Sequence, residues 1–283
     1  MSGLLPYEAY YINSKGERLT LSEPPFIMNE SRLFDAKWSL STVQRPLREG
    51  VRLLMAKRPC EERSMTVHVL ADDAAQLAQR LDHMSEIFDR DTASLEAGTL
   101  WINGQYMRCW CCARTKTLSC DFVSNAIVSV SVFPETPVWC TERVCQLDQS
   151  GDGSDRHRYP YRYPYAYGSG KTGMTLNNTY CAPCPMRITF TGRAENPSIF
   201  INGERIGIDI ILNEGETAVI DQMTRQVYRI TASGERENCF GARSKNGMVF
   251  EYAPPGVSTV VPDCAGVSII LIEQRSEPLW ALS

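Results

Sequence analysis

No apolar run in the chain approaches the roughly 18–20 residues that a membrane-spanning helix requires, so no membrane span is expected. Positive charge is not in surplus either. Lys and Arg number 29 against 33 Asp and Glu, a formal net charge of -4 at pH 7. A nucleic-acid binder carries a basic surplus or a basic stripe, so no specific nucleic-acid binding is expected. The opening MSGLLPYEAYYINSKGERL has no basic region followed by a long apolar core. No secretory signal is read there, and synthesis in a cytosol is the expectation. Histidine is scarce: His68, His83 and His157 fall in a strand, a helix and a linker. No HExxH, no GxSxG and no Cys–His pairing with a local signature occurs. Distant residues can still converge in space, but the sequence assigns no catalytic residue, and a non-enzyme is expected.

Cysteine, by contrast, is plentiful. Eleven are spread over the chain: Cys60, Cys109, Cys111, Cys112, Cys120, Cys140, Cys145, Cys181, Cys184, Cys239 and Cys264. An odd count without a signal fits free thiols better than a disulfide framework, and free Cys packs as a small hydrophobe. Cys181-Ala-Pro-Cys184 has the spacing of a zinc pair or a redox pair. Zinc wants a second such pair, and Cys140 and Cys145 are spaced too loosely. A redox pair opens a helix, whereas Pro185 and Met186 lead into a strand. Cys109 and Cys111 alternate on one strand face, with Cys112 and Cys120 nearby, and core filling is the expected role. Gly168-Ser-Gly-Lys-Thr172 lacks the glycine a phosphate loop needs, since Tyr165 holds that position. Asp148, Asp152 and Asp155 lack the closing Glu of a calcium loop. No metal and no cofactor is assigned.

The chain is otherwise an ordinary globular one, 43% hydrophobic and 22% charged over 283 residues, a length that suggests about two domains. Strands are read at Tyr10–Ile12, Arg18–Leu21, Val51–Met55 and Met65–Leu70, with Pro24-Pro25 as an interruption. One helix is read at about 72–89: Asp72 or Asp73 can cap it, and Leu77, Leu81, Met84 and Phe88 form an apolar stripe that should pack on a sheet. Asn103-Gly104 supplies a two-residue hairpin turn between Gly98–Ile102 and a return strand to about Ala113. Val128, Val130 and Val132 mark a further strand ending at Pro134. LDQSGDGSDRHR then reads as a domain boundary, with a linker over 147–158. The Tyr/Pro run at 159–167 must be extended across a surface.

Beyond it lies the most regular stretch, 196–230. Ile199 and Ile201, then Ile206, Ile208, Ile210 and Leu212, then Thr217–Asp221 and Gln226–Ile230 alternate at a period of two. It reads as an antiparallel meander. Met186–Gly192 leads into it, and Gly247–Tyr252, Val257–Val261 and Gly266–Glu273 should close the domain. About nine strands and no good helix after residue 150 argue for a β-sandwich.

An ordered series of these landmarks resembles the distal tail proteins of bacteriophages. It runs from Gly16-Glu-Arg-Leu-Thr-Leu-Ser-Glu-Pro-Pro25 through Arg45–Leu54, the helix, and Gly98-Thr-Leu-Trp-Ile-Asn-Gly-Gln-Tyr-Met-Arg-Cys109. It continues through Thr136-Pro-Val-Trp139, the Tyr/Pro run, Asn196-Pro-Ser-Ile199, Gly215-Glu216 and Ile220-Asp221. The high cysteine content departs from the family's pattern. The resemblance implies a mainly β chain of two β-sandwich domains. The first, 1–146, would carry one α-helix and a projecting β-hairpin, and the second, 159–283, would be galectin-like or jelly-roll-like. It further implies a homo-oligomer, a hexameric ring in the virion tail that joins the tail tube protein to the tail hub protein and carries receptor-binding proteins or tail fibres. A head-to-tail ring needs two complementary patches on each subunit. The Asn103-Gly104 hairpin, if it projects, could extend a neighbour's sheet. Loops facing the lumen should not be net basic. The alternative reading is a carbohydrate-binding module that grips host glycans, with the tyrosines of the 159–167 run stacking on sugar faces.

Overall fold

The computed structural model describes residues 7–45, 49–118, 124–145, 148–149, 174–245, 247–264 and 266–279. The linker 147–158 falls almost wholly outside the described residues, as do the Tyr/Pro run, the Gly168–Thr172 segment, Cys120, His157, Asp152 and Asp155. The chain is mainly β, rich in antiparallel sheet, with a single α-helix among the described residues. It divides into two compact units, one of Met1–Thr141 with Gln274–Ser283, the other of Glu142–Glu273.

The first unit begins with β1 (Ala9–Ile12), β2 (Arg18–Thr20), β3 (Ser22–Glu23) and β4 (Phe26–Ser31). A cis peptide joins Pro24 to Pro25 in the turn between β3 and β4. Next come β5 (Ser39–Gln44), β6 (Val51–Lys57), β7 (Arg63–Leu70) and α1 (Ala74–Ser94), then β8 (Gly98–Ile102), β9 (Gln105–Leu118), β10 (Asn125–Pro134) and β11 (Trp139–Cys145). Pairing runs β3-β4-β7-β10-β9-β8-β1-β2, one curled antiparallel sheet. Period-two alternation is what builds its interior. Met65, Val67 and Val69 of β7 and Ala126, Val128, Val130 and Val132 of β10 all turn inward and are buried.

The helix covers this core as its stripe dictates: Leu77, Leu81, Met84, Ile87 and Phe88 are buried against β7 and β9. Asp73 caps it, its carboxylate accepting from the Gln76 N–H at 2.8 Å. The helix runs five residues past the expected end at Asp89, because its last turns have tertiary partners. Asp91, fully buried, accepts from the Tyr11 hydroxyl and from the Ser14 N–H at 2.6 Å. Burial and this carboxylate drive the Tyr11 phenol pKa far up. Gly98 passes so close that a Cβ there would collide with both Tyr11 and Asp91.

The second unit contains β12 (Asp148–Gln149), β13 (Met174–Asn178), β14 (Met186–Thr191), β15 (Ala194–Glu195), β16 (Ser198–Ile201), β17 (Glu204–Gly207) and β18 (Ile211–Leu212). It ends with β19 (Thr217–Asp221), β20 (Gln226–Ile230), β21 (Arg236–Asn238), β22 (Gly256–Pro262) and β23 (Val267–Arg275). One sheet runs β21-β20-β19-β14-β23 and the other β12-β13-β22-β16-β17, with a single apolar cluster that includes Ile188, Phe190, Ile199, Ile220 and Val260.

Two sequence expectations fail in this unit. The stretch 196–230 is not one meander, because β16 and β17 belong to one sheet and β19 and β20 to the other. Its expected strand from Ile206 to Leu212 breaks at Ile208, whose N–H turns to the Pro197 carbonyl at 3.0 Å while Asp209 donates to Ala242 at 2.7 Å. Gly247–Tyr252 is not a strand either. The carbonyls of Val249 and Glu251 are taken by the buried side-chain amide of Gln222, at 3.0 and 2.8 Å, so no ladder forms there.

Candidate assembly surfaces

Two hairpins of the first unit have opposite surroundings. Among the described residues, strands β5 and β6 pair only with each other, and every residue of both is exposed. Their register, interrupted by a bulge near Ser41/Thr42, sets Leu40 opposite Ala56, Thr42 opposite Leu53 and Gln44 opposite Val51. One face of the ribbon is therefore largely aliphatic, yet Leu40 is 59%, Val51 65% and Leu53 54% exposed. The other face carries Ser39, Ser41, Arg52 and Lys57 with Val43 and Met55. At the root, Lys37 and Glu61 pair at 2.7 Å, and the Arg58 guanidinium lies 4.8 Å from the centre of the Trp38 ring. A two-stranded ribbon is marginal alone in water, and its outer edges present unpaired backbone groups.

The Asn103-Gly104 hairpin between β8 and β9 is the reverse, and it is not the one that projects. Both turn residues have positive φ, 49° and 77°, as the two-residue turn requires. Asn103 is only 2% exposed. Its carbonyl oxygen accepts from Glu8 N–H at 3.0 Å, and its amide donates to the Leu279 carbonyl at 2.7 Å. Gln105, equally buried, accepts from the Leu279 N–H at 2.7 Å and donates to the Thr141 hydroxyl at 2.8 Å. The tip is a clasp on residues near 279 rather than a free edge, and no composition signal near Leu279 announces it.

A third surface is the outer face of β4, β7, β10 and β9. The registers align Ile27, His68, Ile127 and Thr117 across the four strands. On β7, β10 and β9 the next rows are Thr66, Ser129 and Thr115, then Ser64, Ser131 and Ala113. All are exposed or half-buried. On β10 and β9 the same face continues into Phe133 opposite Trp110, and beyond them Arg108 pairs with Glu135 at 2.9 Å, while His68 lies 3.4 Å from the Asn29 amide.

The residues weighed for chemistry are dispersed. Cys109 and Cys111 are buried on β9 while Cys112 is exposed. Burial drives the Cys109 thiol far up and pushes Cys111 to about 11, with Cys184 also at about 11 for the same reason. Cys184 is held by its backbone bridge to Ala253, while Cys181 is exposed. His68 lies on β7 and His83 on α1, apart in the fold's elements. Among the described residues no group of three or more His, Cys, Asp or Glu side chains could hold a metal, and no helix is long and apolar enough to cross a membrane. An open pocket of about 690 Å³ lies between α1 and the β2–β4 turn, lined by Arg18, Glu23, Pro25, Gln79, Arg80 and His83 without a convergent polar cluster. In the second unit the ring of Phe240 is stacked on Phe250 and covered by Arg243, and Arg236 lies 3.7 Å over Tyr228.

No family model matches the chain, and no curated protein matches it. Solved structures do. The Dit protein (gp 19.1) of phage SPP1, described as a paradigm of the hub adsorption apparatus in phages infecting Gram-positive bacteria, aligns with a TM-score of 0.61 at 12% identity, over 95% of this chain and 99% of that one. A chain of the phage P2 baseplate in its activated conformation with calcium gives 0.65 at 9% identity, over 96% and 99%. The same baseplate with strontium gives 0.64 at 9% identity, over 98% and 100%. At such identities the likeness is one of fold, and it spans nearly the whole chain.

Proposed function

We propose that the chain is a structural protein of a phage tail tip: a distal tail protein that closes into a hexameric ring at the end of the tail tube. In this reading the first unit forms the ring between the tail tube protein and the hub protein. The second unit faces outward as the platform for receptor-binding proteins or fibres. The role is one of assembly rather than catalysis, in the virion tail. The observation that carries it is the β5–β6 ribbon. Monomeric proteins seldom leave a contiguous aliphatic face in water. Fully burying one such side chain contributes about 1.5–3 kcal/mol, and with 54–65% of each exposed, Leu40, Val51 and Leu53 together supply roughly 3–5 kcal/mol to a subunit contact. The ribbon's free edges can add to a neighbour's sheet, and a patch that differs from its receiving surface makes a head-to-tail, ring-forming contact. The full-length likeness to baseplate proteins supports the same reading.

Light scattering on the purified chain tests it, with negative-stain images of the product. Wild type is expected to form a closed ring, and Leu40→Ser with Leu53→Ser to stay monomeric with an unchanged far-UV spectrum. A wild-type chain that remains monomeric at high concentration, and is absent from tail tips labelled with antibody, overturns the reading. The tyrosines of the 159–167 run, on which the glycan-binding alternative rests, lie outside the described residues.

A further inference from the structure

We infer that the second unit binds a phosphate ester of a sugar or polyol, in a pocket where β20 meets the edge strand β21. The pocket measures about 350 Å³, and its lining includes Arg225, Gln226, Tyr228, Arg236, Asn238 and Phe240. The strand register gathers them. Tyr228 lies opposite Asn238 and Ile230 opposite Arg236, so at a period of two Gln226, Tyr228, Arg236 and Asn238 share one face. Arg225 ends a turn that Asp221 folds by accepting from the N–H groups of Met223 and Thr224, at 3.0 and 3.1 Å.

Two features set this pocket apart. Among the described residues no carboxylate lines it, whereas other pockets of the chain include Glu23, or Asp35 with Glu61 and Glu62, or Glu204 with Glu251. In a chain of net charge -4 that is a local reversal. The acids of the adjoining strands, Asp221 and Glu237, are taken by Arg187 and Arg229. The second feature is that the polar groups are left as donors. The side-chain oxygen of Gln226 accepts from Arg236, and that of Asn238 accepts from the Phe240 N–H at 2.9 Å. Each amide keeps its N–H groups for a ligand. Arg236 lies 3.7 Å over the Tyr228 ring, which holds its guanidinium in place, so little freedom is lost on binding.

A donor-rich lining without acids selects an acceptor-rich anion. Guanidinium forks take phosphate or carboxylate through two parallel charge-assisted bonds. Phosphate has more acceptor oxygens than a carboxylate, which suits two guanidiniums and two amides. The pocket has the room of on the order of ten water molecules, more than a bare phosphate fills, and it stands at the low end of small-molecule sites. The rest of the ligand meets amides and a phenol, partners for hydroxyls. An acidic protein segment fits less well, because protein contacts are anchored by apolar side chains packed against the partner. Phe240, the exposed apolar side chain of the lining, is already stacked on Phe250 under Arg243. The site stands without the ring reading. If the ring forms, the site repeats once per subunit, and a modest affinity adds up on a polymer bearing many phosphates.

Calorimetric titration of the purified full-length chain tests it, with glucose 1-phosphate as the probe. Glucose, inorganic phosphate, hexaglutamate and a thymidine hexanucleotide are the comparisons. Saturable binding of glucose 1-phosphate that weakens as salt rises is expected, with none of glucose. Arg225→Gln with Arg236→Gln should weaken it at least ~10-fold with an unchanged far-UV spectrum. Arg225→Lys with Arg236→Lys, which keeps the charge and removes the forks, should still lose several-fold. Absence of binding, or wild-type affinity in either variant, overturns the inference. Inorganic phosphate bound as tightly as the ester overturns it too, since the pocket then reads the anion alone. Tighter binding of hexaglutamate or of the hexanucleotide does the same and assigns the pocket to an acidic protein segment or to nucleic acid. Light scattering on the same sample keeps the two proposals apart. A monomer that binds the ester supports the site and counts against the ring, whereas a ring that does not bind it removes the site alone.

Discussion

The two hairpins of the first unit are built from similar local material and have opposite fates. The β8–β9 hairpin has a tight Asn-Gly turn whose side chain is consumed by Glu8 and Leu279, and its strands bury Leu100, Ile102, Met107 and Cys109. The β5–β6 ribbon has comparable aliphatic content and buries none of it. Whether an apolar strand is core or contact depends on what is available to cover it. For the ribbon, none of the described residues does so. Stability should therefore concentrate in the first hairpin and assembly in the second.

Mutations can break or sharpen that contrast. The largest effect on folding is expected from Gly98→Ala, where the new methyl must displace the buried Tyr11–Asp91 pair, at a cost of about 3 kcal/mol in urea unfolding of the purified chain. At a concentration low enough that the wild type is also monomeric, the double change Leu40→Ser with Leu53→Ser should move the same transition by less than about 0.5 kcal/mol, as exposed substitutions do. A comparable loss in both would dissolve the contrast. Next in size, Asn103→Gly keeps the positive φ accessible but leaves the Glu8 N–H and the Leu279 carbonyl without their partner, costing about 2 kcal/mol. No loss of stability there would show that the clasp is dispensable.

The smallest effect is chemical and leaves the fold alone. Under native conditions at pH 8, iodoacetamide should modify Cys60, which follows the ribbon and is exposed, and leave Cys109 and Cys111 of β9 unmodified over the same hours. Burial blocks access. It also raises their pKa, so the reactive thiolate is scarce at pH 8, and for Cys111, at about 11, it is on the order of one part in a thousand. Raising the pH should therefore speed their reaction, and mass spectrometry of tryptic peptides reads the order. Early labelling of Cys109 would mean that the first hairpin opens readily.

Much of the fold is legible wherever one face of an element meets the core of its own unit. The alternation in β7 and β10, the stripe of α1 with its Asp73 cap, and the Asn103-Gly104 turn all follow from burial periodicity or turn chemistry. β4 is missed because Pro24 and Pro25 obscure a strand whose buried residues are few, Phe26 and Met28. The break at Ile208 and the loop at Gly247–Tyr252 are missed for one reason. Alternation records which side chains are buried and is silent on which backbone partner each residue takes, and there Pro197, Ala242 and Gln222 supply the partners. The assembly surface is the least legible. Val51–Met55 reads as a strand, but its partner β5, Ser39–Gln44, is half hydroxyl, and nothing local says that the pair stands free.

The clasp at Asn103 and Gln105 also has a consequence for timing. Residues 274–279 belong to the first unit, so that unit holds the second as an insertion between its own pieces. On the ribosome, at about 5–20 residues per second, the stretch 142–273 takes on the order of ten seconds to emerge. Throughout that interval β8 and β9 can pair, but the polar groups that will hold Leu279 stay open to water. The first unit thus becomes complete only after the second has been made, and an unfinished chain carries the ribbon without the finished body behind it.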